Sequence, residues 1–171
     1  QTVGAGRLHR HRLDLDDACL YTLAPPPYYT GAVIARGLVQ ELNPQFMPTL
    51  EDGDRMEFEE RISAGFRIAM RSGIDLFYGL SSILLAIGEQ FERGASSTKF
   101  TLDMLHPALL YRMAKGMIRS KLHKRPMQPR DLWKVKGIIA GGMDTAFYRD
   151  RIENLWGTRP LEGYGGTELG G

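Results

Sequence analysis

Apolar positions in this chain come in short blocks separated by turn signals, in a strand-then-helix rhythm. Ala18 to Ala24 is an apolar run broken by Pro25-Pro26-Pro27, which predicts a buried strand. Thr30 can cap a helix carrying Val33, Ile34, Leu38 and Leu42 at helical spacing, and Pro44 ends it. Gln45-Phe46-Met47-Pro48 suits a second short strand. Glu51-Asp52-Gly53-Asp54 reads as a solvated turn, because it lacks the later spaced ligands and closing glutamate of a calcium loop. Phe58, Ile62, Phe66 and Ala69 recur with a helical period through Arg71, and Gly73 closes that helix. Ile74 to Tyr78 gives a third strand, and Gly79-Leu80-Ser81-Ser82 turns into a helix ending near Phe91.

A flexible joint is expected over residues 93–101, where Arg93-Gly94-Ala95-Ser96-Ser97-Thr98 interrupts the pattern. A helical, basic insertion is expected over 102–134, with Leu102, Leu105, Leu109, Met113 and Met117 on one side and His106-Pro107 in the first turn. Val135 to Ala140 is an apolar run ending in Gly141-Gly142, after which Asp144 can cap a helix through Arg149, Ile152 and Leu155. Trp156-Gly157 stops that helix, and a last short strand ends at Tyr164. Strands alternating with helices over short connections predict an α/β fold in a single domain spanning 1–171, with a mostly parallel sheet and helices on both faces. Such sheets bind ligands beyond the carboxyl ends of their strands, where the glycine segments 79–82, 141–142 and 163–166 would lie.

Composition narrows the classes. At 171 residues and 43% hydrophobic, the chain can bury one core, and a net charge of +2 favours no particular partner. No stretch reaches the length of a transmembrane helix and no secretory signal is visible, so a cytoplasmic location is the default expectation. Cys19 is a single cysteine in an apolar run, to be weighed as a small core residue against a nucleophile. A serine-hydrolase elbow would need glycine where Ile83 stands, two positions after Ser81. His9 and His11 could share one strand face, yet no third metal ligand is near, and the solvated connector is the simpler reading of residues 1–17. Between Arg112 and Lys136 stand nine Lys or Arg and one acid, Asp131. A solvated helix face is the favoured reading of that stretch. Contact with a membrane surface or with acidic protein is possible but not favoured, and nucleic acid is set aside because aromatics are not interleaved with the charges.

The densest chemistry is at the end of the chain. Gly163-Tyr164-Gly165-Gly166-Thr167-Glu168 combines an aromatic face, a hydroxyl and a carboxylate with glycines that let backbone approach a ligand. Gly141-Gly142-Met143, a helix, Trp156-Gly157 and then Tyr164-Gly165-Gly166-Thr167-Glu168 together resemble the middle of the adenylate-forming superfamily, which includes acyl-CoA synthetases, aryl-CoA ligases, adenylation domains and luciferases. The strong match covers about 35 residues. The resemblance implies an ATP-dependent carboxylate-activating ligase that forms an acyl-adenylate and then an acyl-CoA thioester, with ATP, Mg²⁺ and CoA as cofactors and co-substrates. It implies that Gly141, Gly142, Met143, Gly163, Tyr164, Gly165, Gly166 and Thr167 hold the nucleotide, with adenine between the Gly-Gly backbone and Tyr164. Thr167 would contact the α-phosphate, Glu168 would hold Mg²⁺, and both are the expected catalytic residues. Tyr29, Thr30 and Gly79 are the expected pocket residues for a small-molecule carboxylate.

Met143-Asp144 replaces the small residue and proline or glutamate often found after Gly-Gly in that family, and the family's phosphate loop and C-terminal lysine are not in this sequence. The chain is therefore expected to be an internal piece of a larger AMP-binding domain that depends on its missing remainder and is inactive alone. The alternative, from another class, is a nucleotide-binding or interaction module without catalysis whose working surface is the basic stretch 112–136.

Overall fold

Short runs rich in apolar residues become the central strands, and the stretches of helical period become helices laid across them. The computed structural model describes residues 17–23, 44–93, 106–142 and 144–163. Their strands are β1 (Ala18–Thr22), β2 (Gln45–Met47), β3 (Leu76–Leu80), β4 (Gly137–Gly141) and β5 (Leu161–Glu162). The helices are α1 (Leu50–Gly53), α2 (Phe58–Ser72), α3 (Ser81–Glu92), α4 (Pro107–Leu122), α5 (Pro129–Leu132) and α6 (Thr145–Trp156).

All five strands are parallel and lie in the order β2-β1-β3-β4-β5. This is an α/β fold with one of the two common doubly wound strand orders, and its direction of winding reverses between β1 and β3. Register is continuous across the centre, with Cys19 opposite Leu76, Leu20 opposite Phe77 and Phe77 opposite Ile138. The period of two sends alternate side chains to opposite faces. Leu20, Met47, Phe77, Ile138 and Ala140 share one core with Ala69 of α2, Leu84 of α3 and Ile152, Leu155 and Trp156 of α6. Cys19, Tyr21, Phe46 and Tyr78 form the second, smaller cluster. The three rightward crossovers from β2 to β5 thus lay α2, α3 and α6 on one face, as a right-handed winding requires. The helix expected through Val33, Ile34, Leu38 and Leu42 lies outside the described residues, as do residues 1–16 and most of the joint expected at 93–101.

Trp133 joins the helices. Its ring stacks on Trp156 at 5.9 Å and meets Phe66 and Phe91 edge-on, and its indole N–H donates to the Ala69 carbonyl at 3.2 Å. Trp156 in turn donates to the Leu84 carbonyl at 3.0 Å. At the amino-terminal edge of the sheet, Lys136 pairs with Asp17 and, at 3.7 Å, with Asp75, whose other oxygen accepts from the Ala18 N–H. That edge is tied by charge, whereas small residues such as Gly79, Ser81, Gly141 and Gly142 gather at the opposite edge.

Four local expectations are corrected. Residues 51–54 are not a bare turn: Leu50–Gly53 is a single helical turn capped by the Thr49 hydroxyl, which accepts from the Asp52 N–H. Gly79 and Leu80 belong to β3, and α3 begins directly at Ser81 without an intervening turn. Of the described part of 102–134, helix covers Pro107–Leu122 and Pro129–Leu132 only, because the segment between them holds Pro126 and Lys124 with φ of 50°. Met117, expected on the buried side of this helix with Leu109, faces outward, while Gly116 and Ser120 are buried instead. Among the described residues no helix is long and apolar enough to cross a membrane.

Candidate functional site

Parallel strands deliver their carboxyl ends to one edge, and here that edge is built from β1, β3, β4 and β5 in turn. At the end of β1, the Thr22 hydroxyl accepts the Leu80 N–H at 3.2 Å. Gly79 lies directly against it: a Cβ there would sit 2.0 Å from Thr22 Oγ1 and 2.9 Å from the Thr22 nitrogen. Only glycine lets the two strand ends come this close. Next, Ser81 Oγ donates to the Gly141 carbonyl at 3.4 Å, which ties the start of α3 to the end of β4. Thr145 Oγ1 reaches the Gly142 carbonyl at 2.9 Å and Ser81 Oγ at 3.1 Å.

Thr22, Ser81 and Thr145 are all buried, so these hydroxyls act as clamps between strand ends. They are not poised as nucleophiles, since their described hydrogen bonds run to backbone or to one another and to no imidazole or carboxylate that could serve as a base. The clamps leave a shelf of backbone. Gly142 has φ of 133° and is exposed, and the Gly163 N–H donates to the Ala140 carbonyl at 3.0 Å, which brings the ends of β4 and β5 side by side. A Cβ on Gly141 would touch the Gly163 carbonyl at 3.4 Å, an ordinary van der Waals contact, and without it the backbone here stays bare. Arg149 of α6 pairs with Glu162 of β5 beside it, and exposed Asp144 occupies the N-cap of α6 without a side-chain cap bond. A surface of bare, partly exposed backbone with polar groups at its border can take the face of a flat ring.

Of the expected nucleotide-binding residues, the structure brings Gly141, Gly142 and Gly163 together at this edge. Met143, Tyr164, Gly165, Gly166, Thr167 and Glu168 lie outside the described residues, as do Tyr29 and Thr30. Gly79 is described: it is buried against Thr22, and the exposed residue at the end of β3 is Leu80. Among the described residues no group of three His, Cys, Asp or Glu could hold a metal ion. The hydroxyl set Thr22, Ser81 and Thr145 was missed from sequence. One signal was available, since a threonine three residues after Gly142 can bond back to its carbonyl in a local loop motif.

Cys19 is a core residue, buried on the second face, and burial pushes its thiol up to about 12. A thiol so held is no nucleophile near neutral pH. The basic stretch divides in two. Arg112 donates to the carbonyls of Arg71 and Ser72 at 2.7 Å each, capping the end of α2 where the helix dipole favours a cation. Arg125 forms a two-pronged pair with Asp131 at 2.7 Å, and Lys136 belongs to the amino-terminal edge. Lys115, Lys121, Lys124 and Lys134 remain exposed.

Compared with known protein families, curated proteins and solved structures, the chain matches none. The functional reading therefore rests on the edge itself.

Proposed function

We propose that this chain carries the adenine-binding edge of an ATP-dependent carboxylate-activating ligase. One observation carries the reading: Gly141-Gly142 and Gly163 meet at the carboxyl ends of β4 and β5, and the chain continues from Gly163 directly into Tyr164-Gly165-Gly166-Thr167-Glu168. Adenine would lie on the glycine shelf under the Tyr164 ring, and stacking is indifferent to the polar decoration of the base. From there Thr167 would orient the α-phosphate. The carboxylate substrate would attack the α-phosphorus, breaking its bond to the bridging oxygen and releasing pyrophosphate with the acyl-adenylate. The CoA thiol would then attack the acyl carbon, with AMP leaving. Glu168 would hold Mg²⁺, which when bound offsets charge on the phosphates and commonly takes one or two carboxylates plus phosphate oxygens.

Titrating ATP into the 171-residue chain while following backbone amide signals tests this edge. ATP should move the signals of Gly141, Gly142 and Gly163. Tyr164→Phe should bind nearly as well, whereas Tyr164→Ala should weaken binding by ~1–3 kcal/mol, the scale of base–aromatic stacking. Millimolar ATP that leaves all three glycines unmoved refutes the adenine site. Equal weakening by both substitutions refutes stacking by Tyr164.

A further inference from the structure

Helix α4 is apolar on the side that faces away from the protein. Nine large hydrophobic residues are exposed among the described residues, and five of them, Leu110, Tyr111, Met117, Ile118 and Leu122, lie on this one helix at 48–76% exposure. The other four are scattered singly over the surface, which is ordinary for a folded protein. With exposed Ala114, the five fall at helical spacing and make one continuous stripe. The inward side is accounted for. Leu109, Gly116 and Ser120 are buried, a Cβ on Gly116 would meet Leu132 of α5 at 2.9 Å, and Arg112 caps α2.

Charge on the outer side has one sign. Lys115 edges the stripe, Lys121 continues the row of Leu110, Ala114 and Met117 at its carboxyl-terminal end, Lys124 follows, and no Asp or Glu occurs between residues 104 and 130. Lys115 extends over the Tyr111 ring at 5.9 Å, so its ammonium stays at the border of the apolar surface. An apolar stripe with lysines along one border and at its carboxyl-terminal end, and free of carboxylates, is complementary to a surface that is apolar inside and anionic at its rim. Two copies packed through this face would bring Lys115, Lys121 and Lys124 together with no carboxylate on the face to pair them, which disfavours a second copy as occupant.

We propose that the outer face of α4 docks on an anionic lipid bilayer, the stripe entering the boundary of headgroups and acyl chains while Lys115, Lys121 and Lys124 meet lipid phosphates. The inference is independent of the nucleotide reading. It is tested by sedimenting the full 171-residue chain with vesicles of phosphatidylcholine alone and of phosphatidylcholine with phosphatidylserine. The chain should sediment only with the phosphatidylserine vesicles and come off as salt rises. Lys115→Gln with Lys121→Gln should lower the partition coefficient about 25-fold, at roughly fivefold per lysine. Ile118→Ser with Leu122→Ser should abolish binding, and because both positions are exposed the melting curve should not move. Failure to bind phosphatidylserine vesicles, or equal binding to both kinds, overturns the proposal. So does a dimer in solution that Ile118→Ser with Leu122→Ser dissociates, since a second copy would then own the stripe.

Discussion

Arg125→Ala should destabilise the fold far more than a surface ion pair would. Asp131 is 4% exposed and receives two guanidinium bonds at 2.7 Å together with the Gln128 N–H at 2.9 Å. Burial alone would raise its pKa, but the Arg125 and Gln128 bonds outweigh burial and hold the carboxyl below its usual range. Without Arg125 the carboxylate keeps one backbone bond in a buried place, and breaking a buried pair in this way costs about 3–5 kcal/mol. Protonation sets a ceiling, because neutralising an ordinary carboxyl costs about 4 kcal/mol at pH 7 and about 1.5 kcal/mol at pH 5. The expected loss is therefore about 3–4 kcal/mol at pH 7, narrowing by about 2 kcal/mol at pH 5. Asp131→Asn should behave differently. It leaves Arg125, at 19% exposure, able to turn to water, so the loss is about 1.5–3 kcal/mol. In the parent, Asp131 has a depressed pKa in the folded state, so its contribution is present above the unfolded value and is lost as pH falls through the folded one. The Asp131→Asn deficit should thus be flat between pH 7 and pH 5 and shrink only below about pH 4. Urea unfolding followed by far-ultraviolet circular dichroism at the two pH values measures both deficits. A loss under about 1 kcal/mol for Arg125→Ala, or one that does not narrow at pH 5, would show that Asp131 is solvated and the reasoning wrong.

Gly79→Ala places a methyl 2.0 Å from Thr22 Oγ1 and 2.9 Å from backbone of the neighbouring strand, so it should lower stability by more than about 3 kcal/mol; a melting point within a few degrees of the parent would contradict the close approach of β1 and β3. Thr145→Val keeps the shape and removes the hydroxyl that joins Gly142 to Ser81, and urea unfolding should show a loss of about 1–2 kcal/mol. The Cys19 thiol, pushed up to about 12 by burial, should be inert to a thiol-specific chromogenic reagent in the native chain and react at once in urea; native reactivity at mildly alkaline pH would contradict its placement in the core.

The sheet was legible because its strands announce themselves. Ala18–Thr22, Gln45–Met47 and Gly137–Gly141 sit in apolar runs closed by proline or glycine, and Phe58, Ile62, Phe66 and Ala69 show the length of α2, although only Ala69 of the four is buried, beside Arg61, Ala64 and Gly65. The end of β3 was misjudged because Gly79 and Leu80 look like a turn by residue type, whereas pairing with Thr22 and Gly141 holds them in the ladder. Helix α4 misled for a stronger reason. It has apolar residues on both sides, so periodicity alone could not say which side faces inward; that was decided by Gly116 and Ser120, whose small size lets α5 approach. At the candidate site, the glycines were readable from sequence as places where backbone is bare. The hydroxyl clamp was not, because Thr22, Ser81 and Thr145 come from three segments far apart in the chain and acquire their partners only when the strand ends align.

The stacked indoles of Trp133 and Trp156 give the molecule a built-in optical gauge of limited reach. They are the chain's two tryptophans, 5.9 Å apart and 12° from parallel, so all of its indole emission and the indole share of its near-ultraviolet dichroism arise from one spot. At that range the two transitions couple, and the sign and size of the resulting band depend on the angle between the rings. The indole signal follows the docking of α2, α3 and α6 on the larger core and does not report on the cluster around Cys19, Tyr21 and Tyr78. A state that kept its helices but let the rings slip would lose the coupled band while its backbone signal held, so loosening of that core can be told apart from melting without any added label.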